Sequence, residues 1–356
     1  MRLPLAVGYG PRDSGGLKDE VSLNAFAESG ASGQTFAVKR PGTGIVQFYP
    51  PQSGEGGYDV DVVPTATAQG IYQLGEDIYF ISGGVLYYCY ASDHGYGVAG
   101  QAAKCALSGG PSTGHYFFVQ IPDSNHTKSF FLKATTKAFR VYDMVATAVS
   151  DVDYPETTVP GAAYLDGTYY VMTPDGQIYG SELEDPLTWS GLNVIKAGSM
   201  PDSGVAIRRM INYVVAFGTY TTEFFYDAGN PVGSPLLPVT NAIALVGCCQ
   251  ADSIADTENT LYFMGVTRQQ GRSIYRFNGT VPEKISTPFV DRVISADGLS
   301  EVWAYFVKIN GHPMYVLTLK DSAVTLVFDT AMNTWHKWNS LVPGEGAGEW
   351  AGEGEG

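Results

Sequence analysis

Ala162-Ala-Tyr-Leu-Asp-Gly-Thr-Tyr-Tyr-Val-Met-Thr-Pro-Asp-Gly-Gln-Ile-Tyr179 and Ile211-Asn-Tyr-Val-Val-Ala-Phe-Gly-Thr-Tyr-Thr-Thr-Glu-Phe-Phe-Tyr226 are two units of one pattern, and that pattern decides the fold. In each, an aromatic and β-branched run meets a polar turn containing Gly, Asp or Asn and returns as a second run ending in an aromatic, which is how a β-hairpin reads. Asp185-Pro-Leu-Thr-Trp189, Gly247-Cys-Cys249, Leu261-Tyr-Phe-Met-Gly-Val266 and Ile274-Tyr-Arg-Phe277 continue the series, so Pro160 to Phe277 is a repeat of hairpins.

The pattern extends in both directions. Upstream, Ile71 to Tyr88 turns at Gly83-Gly84, and a second unit holds Tyr116-Phe-Phe-Val-Gln-Ile121, Ser129-Phe-Phe-Leu132 and Phe139-Arg-Val-Tyr142. Downstream lie Val302-Trp-Ala-Tyr-Phe-Val307, Met314-Tyr-Val-Leu317, Val324-Thr-Leu-Val-Phe328 and Thr334-Trp-His-Lys-Trp338. Comparable starts at Ile71, Tyr116, Ala162, Val205, Ile254 and Val302 are spaced by 45, 46, 43, 49 and 48 residues, with no helical pattern between them. A period of roughly 40 to 50 residues with about four strands per unit is that of a β-propeller blade. The expected fold is therefore all-β: a propeller of six four-stranded blades over residues 70–340. An irregular N-terminal arm over 1–69 precedes it, either a surface arm or a segment that closes the propeller, and a flexible Gly/Glu-rich tail over 341–356 follows. Radial packing buries aromatics between blades, and Tyr87, Tyr179, Tyr226, Tyr275 and Phe328 are the first candidates.

Composition agrees. Of 356 residues, 44% are hydrophobic and only 16% charged, with 43 Gly, 23 Tyr and 17 Phe. That mixture suits short strands joined by tight turns. A net charge of -15 repels nucleic acid and anionic membranes, and the only adjacent basic pairs are Lys39-Arg40 and Arg208-Arg209, so sequence readout of DNA is not expected. An acidic wall does suit a duct through which DNA must slide. Cys89, Cys105, Cys248 and Cys249 form no disulfide framework, and the vicinal pair would make only a strained bond, which points to folding in a reducing cytosol. The start, Met1-Arg-Leu-Pro-Leu-Ala-Val-Gly-Tyr-Gly10, carries too short an apolar run for a secretory signal, and no run is long enough to span a bilayer.

Chemistry is sparse. His94, His115, His126, His312 and His336 share no metal-ligand spacing, and HExxH, CxxC and GxxxxGK[ST] stretches are absent. Thr173-Pro-Asp-Gly176 resembles the first half of a sialidase Asp-box without the Thr-Trp that should follow, so a tight turn is the better reading. Asp59 with Asp61, and Asp151 with Asp153, fall in expected loops where solvated charges are ordinary, and a catalytic pair requires geometry. Asp329-Thr-Ala-Met-Asn-Thr-Trp335 is similar to the turn and Thr-Trp of a Kelch blade. Of the tryptophans at 189, 303, 335, 338 and 350, four fall at strand or turn positions that core packing explains better than a sugar platform does. No catalytic, cofactor-binding or metal-ligating residue is expected, no cofactor, and the lining of any channel is not chosen from sequence.

Taken in order, several phrases resemble one family. They are Ala162-Ala-Tyr-Leu-Asp-Gly167, Ser181-Glu-Leu-Glu-Asp-Pro-Leu-Thr-Trp189, Phe217 to Asn230, Gly247-Cys248, Ser253-Ile-Ala255, Ser273-Ile-Tyr-Arg-Phe-Asn-Gly279, Ile285-Ser286, His312 to Leu319 and Thr334-Trp-His336, with Leu23-Asn24 and Lys39-Arg-Pro-Gly42 near the start. The chain is similar to the tail hub or nozzle proteins of short-tailed phages, the packaged-DNA stabilisation proteins, over most of residues 155–338. The resemblance implies a structural, non-enzymatic virion protein, made in the host cytoplasm. Six copies sit below the portal and a tail adaptor or head-completion ring, continue the channel for double-stranded DNA without reading its sequence, and hold the genome until ejection. Further implied partners are a plug or needle protein and tail fibres or tailspikes; membrane insertion is not implied. Relatives continue past the Trp-His position where this chain enters its Gly/Glu tail, so contacts made there are not carried over. Acidic loops such as Asp151 to Asp153 and Glu182 to Asp185 are expected to face the lumen and keep DNA mobile. The competing readings are a propeller that binds or cleaves glycans in a phage tail, and a propeller scaffold outside any virus.

Overall fold

The structure, a computed structural model, describes residues 25–29, 35–39, 68–74, 77–89, 102–122, 129–257, 259–309 and 311–338. The expected arm, apart from two short strands and residues 68–69, lies outside the described residues, as do the tail at 341–356, Asp59, Asp61, His94, His126 and Trp350. Two compact units divide the chain: Phe48–Ala251, and Met1–Gln47 together with Asp252–Gly356.

In the second of these, β1 (Ala25–Ser29) and β2 (Thr35–Lys39) pair as an antiparallel hairpin. The unit Phe48–Ala251 then carries four consecutive antiparallel sheets. The first is β3 (Ala68–Leu74), β4 (Asp77–Ser82), β5 (Val85–Cys89) and β6 (Ala102–Ala106), and the second β7 (Phe117–Gln120), β8 (Ser129–Lys133), β9 (Ala138–Tyr142) and β10 (Val145–Ala148). The third is β11 (Ala163–Leu165), β12 (Thr168–Met172), β13 (Gln177–Glu182) and β14 (Asp185–Lys196), and the fourth β15 (Gly204–Met210), β16 (Tyr213–Gly218), β17 (Thr222–Asp227) and β18 (Leu236–Pro238). A two-residue strand β19 (Gly247–Cys248) ends the unit's series. The other unit holds β20 (Ala255–Asp256), β21 (Leu261–Val266), β22 (Ser273–Asn278) and β23 (Val281–Lys284) of the fifth sheet, a helix α1 (Pro288–Ala296), and the sixth sheet of β24 (Val302–Ile309), β25 (His312–Leu319), β26 (Val324–Asp329) and β27 (Thr334–Trp338). The fold class is that expected, an all-β propeller of six antiparallel blades.

Turn chemistry sets the registers. Ser82 pairs with Val85 across Gly83-Gly84, both at positive φ, and Leu165 with Thr168 across Asp166-Gly167, likewise both positive, which are the two-residue loops that match strand twist. Packing between sheets follows the two-residue period. On β8, Phe130 and Leu132 join Tyr79, Ile81 and Leu86 of the first sheet, whereas Phe131 between them joins Tyr169, Val171 and Trp189 of the third. On β12, Tyr169 and Val171 face that second cluster while Tyr170 and Met172 face Ile207, Val214, Ala216 and Phe225 of the fourth sheet. Strands buried on both faces read as apolar runs, as Phe-Phe-Leu at 130–132 and Tyr-Tyr-Val-Met at 169–172 do, and each large side chain so buried contributes about 1.5–3 kcal/mol.

The aromatic candidates divide. Phe328, buried, meets Tyr262 of the fifth sheet at 6.4 Å between ring centroids, and Tyr179 packs in the cluster shared by the second and third sheets. Tyr87 and Tyr275 are buried but stack on Phe80 and Phe263 of their own sheets. Tyr226 is a correction: it is 40% exposed, because Phe224 and Phe225 ahead of it occupy the buried positions of β17. A second correction is α1, in a chain where no helical stretch is expected. Thr287 caps it, accepting from the Val290 amide, Pro288 starts it, and Val290 and Ile294, one turn apart, bury its inner face. Nine residues between two strand runs leave too short a pattern to stand out.

Candidate functional site

The carboxylates singled out by sequence are engaged by local structure. Asp151 accepts from the Trp189 amide at 3.1 Å through one oxygen and from the Asp153 amide at 2.9 Å through the other, tying the loop before β11 to β14. Asp185 accepts from the Leu187 amide at 3.0 Å and the Thr188 hydroxyl at 2.7 Å. Glu182 and Glu184 are exposed. Asp175 closes the β12–β13 hairpin. It accepts from Thr173 Oγ1 at 2.5 Å and Gln177 Nε2 at 2.6 Å, bonds that hold its carboxyl below the usual range, the Gln177 one most, and Gly176 beside it has φ +84°. A turn, not a sialidase box, occupies that position.

Glu223, buried, accepts from both the amide and hydroxyl of Ser199 at 2.9 and 2.7 Å. Asp202 accepts from the Tyr220 and Thr221 amides and the Thr221 hydroxyl at 2.7, 2.8 and 3.0 Å. These acids line a narrow cleft with Met172, Ala216 and Phe217. Their oxygens are spent on backbone amides and hydroxyls, which makes the cleft a clamp between the third and fourth sheets.

Two polar clusters escaped sequence reasoning. Lys133, the last residue of β8, is fully buried and donates to the Val159 carbonyl. Burial holds its amine well below the usual lysine range, and the nearby Arg208 guanidinium adds to the effect. Arg208 on β15 donates to the carbonyls of Ile207, Pro160 and Ala251 at 2.9, 3.2 and 3.3 Å and lies 4.5 Å over the Phe117 ring, so one side chain fastens the second sheet, the loop before the third and the chain after β19. The signal for Lys133 was a cation closing an otherwise apolar run that is buried on both faces.

In the sixth sheet Asp329, fully buried, accepts from the Ala331 amide at 2.9 Å and the Met332 amide at 3.2 Å and meets His312 Nδ1 at 2.6 Å. This is the Kelch-like turn, with Asn333 at positive φ before Thr334-Trp335. His336 on β27, also buried, lies 3.0 Å from Thr334 Oγ1. Burial depresses its pKa to about 4, Asp329 opposing and His312 assisting. Trp335 and Trp338 of the same strand are buried, Trp335 donating to the Ile285 carbonyl at 2.9 Å, and Trp189 is buried in the third sheet. Trp303 is half-buried, donating to Glu301 at 2.8 Å.

Among the described residues no three His, Cys, Asp or Glu side chains gather as a metal site, and no helix is long and apolar enough to cross a membrane. Cys105 and Cys248 are buried thiols and Cys249 a half-buried one, none of the three in a disulfide. The polar groups converge on turns, sheet seams and carbonyls, an arrangement that stiffens a scaffold.

Solved structures similar to this chain share little of its sequence. The WD40 domain of Neurospora crassa Pan2 superposes with a TM-score of 0.47 at 8% identity, covering 77% of this chain and 79% of that one. BamB from Moraxella catarrhalis gives 0.42 at 12% identity, covering 74% and 72%. Among curated proteins none matches. The family model described as Bacteriophage P22 Gp10, beta-propeller, matches residues 124–353, more than half of the chain, and so covers the third to sixth sheets, with most of the second. The chain belongs to the phage stabilisation family of which Bacteriophage P22 Gp10 is the named member.

Proposed function

We propose that this protein is a structural component of a short-tailed phage tail, a homohexameric nozzle below the portal and adaptor ring that continues the DNA channel and retains the packaged genome until ejection. The observation that carries the reading is family membership across residues 124–353. The chemistry of the described residues supports it. Their buried acids and cations serve turns and sheet seams, as a load-carrying ring requires and as an enzyme's reacting groups would not. A net charge of -15 favours passage of DNA over retention on a wall, because like charges keep the duplex from adhering.

The test is electron microscopy of the purified protein and of particles lacking it. Rings with an open axis, and particles that lose DNA in its absence, are the expected results. A monomer that depolymerises host surface polysaccharide overturns the proposal in favour of a glycan-cleaving tail protein.

A further inference from the structure

The hairpin of β22 and β23 turns at Asn278-Gly279, and both residues are exposed. Asn278 pairs with Val281, so Gly279 and Thr280 form a two-residue loop. Gly279 stands at its first corner with φ +63° and in open space, since a Cβ there would meet no heavy atom within 4 Å. Such a loop asks for glycine at that corner. It asks for no asparagine one place earlier, because Asn278 still belongs to the strand and has no positive φ. The contacts that order β22 stop one residue short of it. Phe277 is buried, stacks on Phe263 at 5.0 Å between centroids and accepts from Thr260 Oγ1 through its carbonyl, whereas Val281, opposite Asn278, is 64% exposed. Beyond that anchor the tip opens at little cost, because few apolar contacts are lost when it does.

An asparagine ahead of an uncrowded glycine is chemically labile. The Gly279 amide nitrogen attacks the Asn278 side-chain carbonyl carbon; a C–N bond forms there while the bond to the carboxamide nitrogen breaks, the amide proton passes to the departing nitrogen, and ammonia leaves. The cyclic imide then takes up one solvent water, which opens it at either carbonyl to give aspartate or isoaspartate. Nothing is oxidised or reduced. A Cβ on the attacking residue would hinder the approach, and glycine has none.

The remaining candidates lack one of these conditions. Among the described asparagines, Asn193 and Asn230 are held by donating to the Ser181 and Ser234 carbonyls at 3.2 and 3.1 Å, and Asn212, Asn241, Asn259 and Asn333 precede Tyr213, Ala242, Thr260 and Thr334. The Asp-Gly pairs, which close the same ring with loss of water, are crowded: a Cβ on Gly167, Gly176 or Gly298 would lie 2.5, 2.9 or 2.7 Å from Leu183, Ala197 or Asp321. We propose that Asn278 is a site of spontaneous covalent modification, converting through the cyclic imide to isoaspartate. The product threads the backbone through the former side chain, lengthens β22 by a methylene just before its turn, and sets a carboxylate where a neutral carboxamide stood.

The test incubates the purified full chain in mildly alkaline buffer and follows residues 277–284, the peptide trypsin releases at Arg276 and Lys284, by mass spectrometry against an unincubated sample. Isoaspartate is counted by methyl transfer from S-adenosylmethionine with an isoaspartyl methyltransferase. In wild type the peptide gains the mass of an amide-to-acid exchange and accepts methyl groups, at a rate about tenfold or more above that at Asn212, which is also exposed but precedes Tyr213. Asn278→Gln, whose longer carboxamide closes the ring poorly, and Gly279→Ala, whose methyl crowds the attacking nitrogen, both lose the signal. An Asn278 left intact in wild type overturns the proposal, as does conversion at Asn310-Gly311 alone or a Gly279→Ala chain that reacts at the wild-type rate. Aspartate without isoaspartate also overturns it, because water has then attacked the side chain directly. The wild-type readouts stand whether or not either variant folds.

Discussion

His336 gives the sharpest expectation, because burial dominates its environment and its titration has a sign. The ring is 3% exposed on β27, and burial lowers its pKa from 6.5 to about 4 against the opposing pull of Asp329. In the folded chain the imidazole therefore stays neutral where the unfolded chain already binds a proton. Between those two values the unfolded state holds more protons, so stability present above pH 6.5 is lost as pH falls toward 4. At about 1.4 kcal/mol per pH unit, the depression corresponds to about 3 kcal/mol, a substantial share of the roughly 5–15 kcal/mol that holds a domain. The perturbation is His336→Gln, which keeps an amide near Thr334 and removes the titration. Urea unfolding, followed by the fluorescence of the buried Trp335 and Trp338 in the same strand, is measured for both proteins at pH 7.5, 5.5 and 4. Other groups titrate in this window, so the readout is the difference between the two proteins. Wild type loses about 3 kcal/mol more than the variant on acidification. A difference that does not change with pH, or an imidazole carbon resonance titrating near 6.5, refutes the reasoning.

Two further outcomes follow from buried groups and close backbones. Lys133, whose amine burial holds well below the usual lysine range, releases its proton at a lower pH when folded than when unfolded, so stability rises with pH from that lowered value toward 10.5; thermal unfolding of Lys133→Met between pH 7 and 10 shows that slope flattened. Gly247→Ala places a Cβ 2.3 Å from the Thr219 carbonyl carbon and the Tyr220 amide nitrogen, atoms that cannot turn aside, and costs about 3 kcal/mol or more in denaturant unfolding, whereas Gly229→Ala, with nothing within 4 Å, costs about 1 kcal/mol for its positive φ alone.

How far the sequence could be read follows the range of the forces involved. The sheets were legible because hairpin turns and apolar runs are local: Gly83-Gly84, Asp166-Gly167 and the Asp329 turn declare themselves within a few residues. The six starts agree with β3, β7, β11, β15, β20 and β24 to within three residues. Which face an aromatic takes was not legible, since Tyr226 and Phe225 differ by one position and only the neighbouring sheet decides which is covered. The helix α1 hid for a different reason. Its two inward residues, Val290 and Ile294, are too few to establish a period, and only the Thr287-Pro288 start marked it. At the site level, loop acids could be found but not oriented: Asp151 reaches Trp189, 38 residues away, by a bond that no spacing foretells. Lys133 and Arg208 likewise meet only through three-dimensional packing.

The strands β8 and β12 are party walls, with one residue belonging to the room on the left and the next to the room on the right. Two neighbours in the chain such as Phe130 and Phe131 are therefore strangers in packing, whereas Phe130 and Tyr79, half a hundred positions apart, share a fate at 4.6 Å. Drift in such a chain travels crosswise: a change on one wall is answered from the facing wall, and no blade can be exchanged alone without refitting the two rooms it divides.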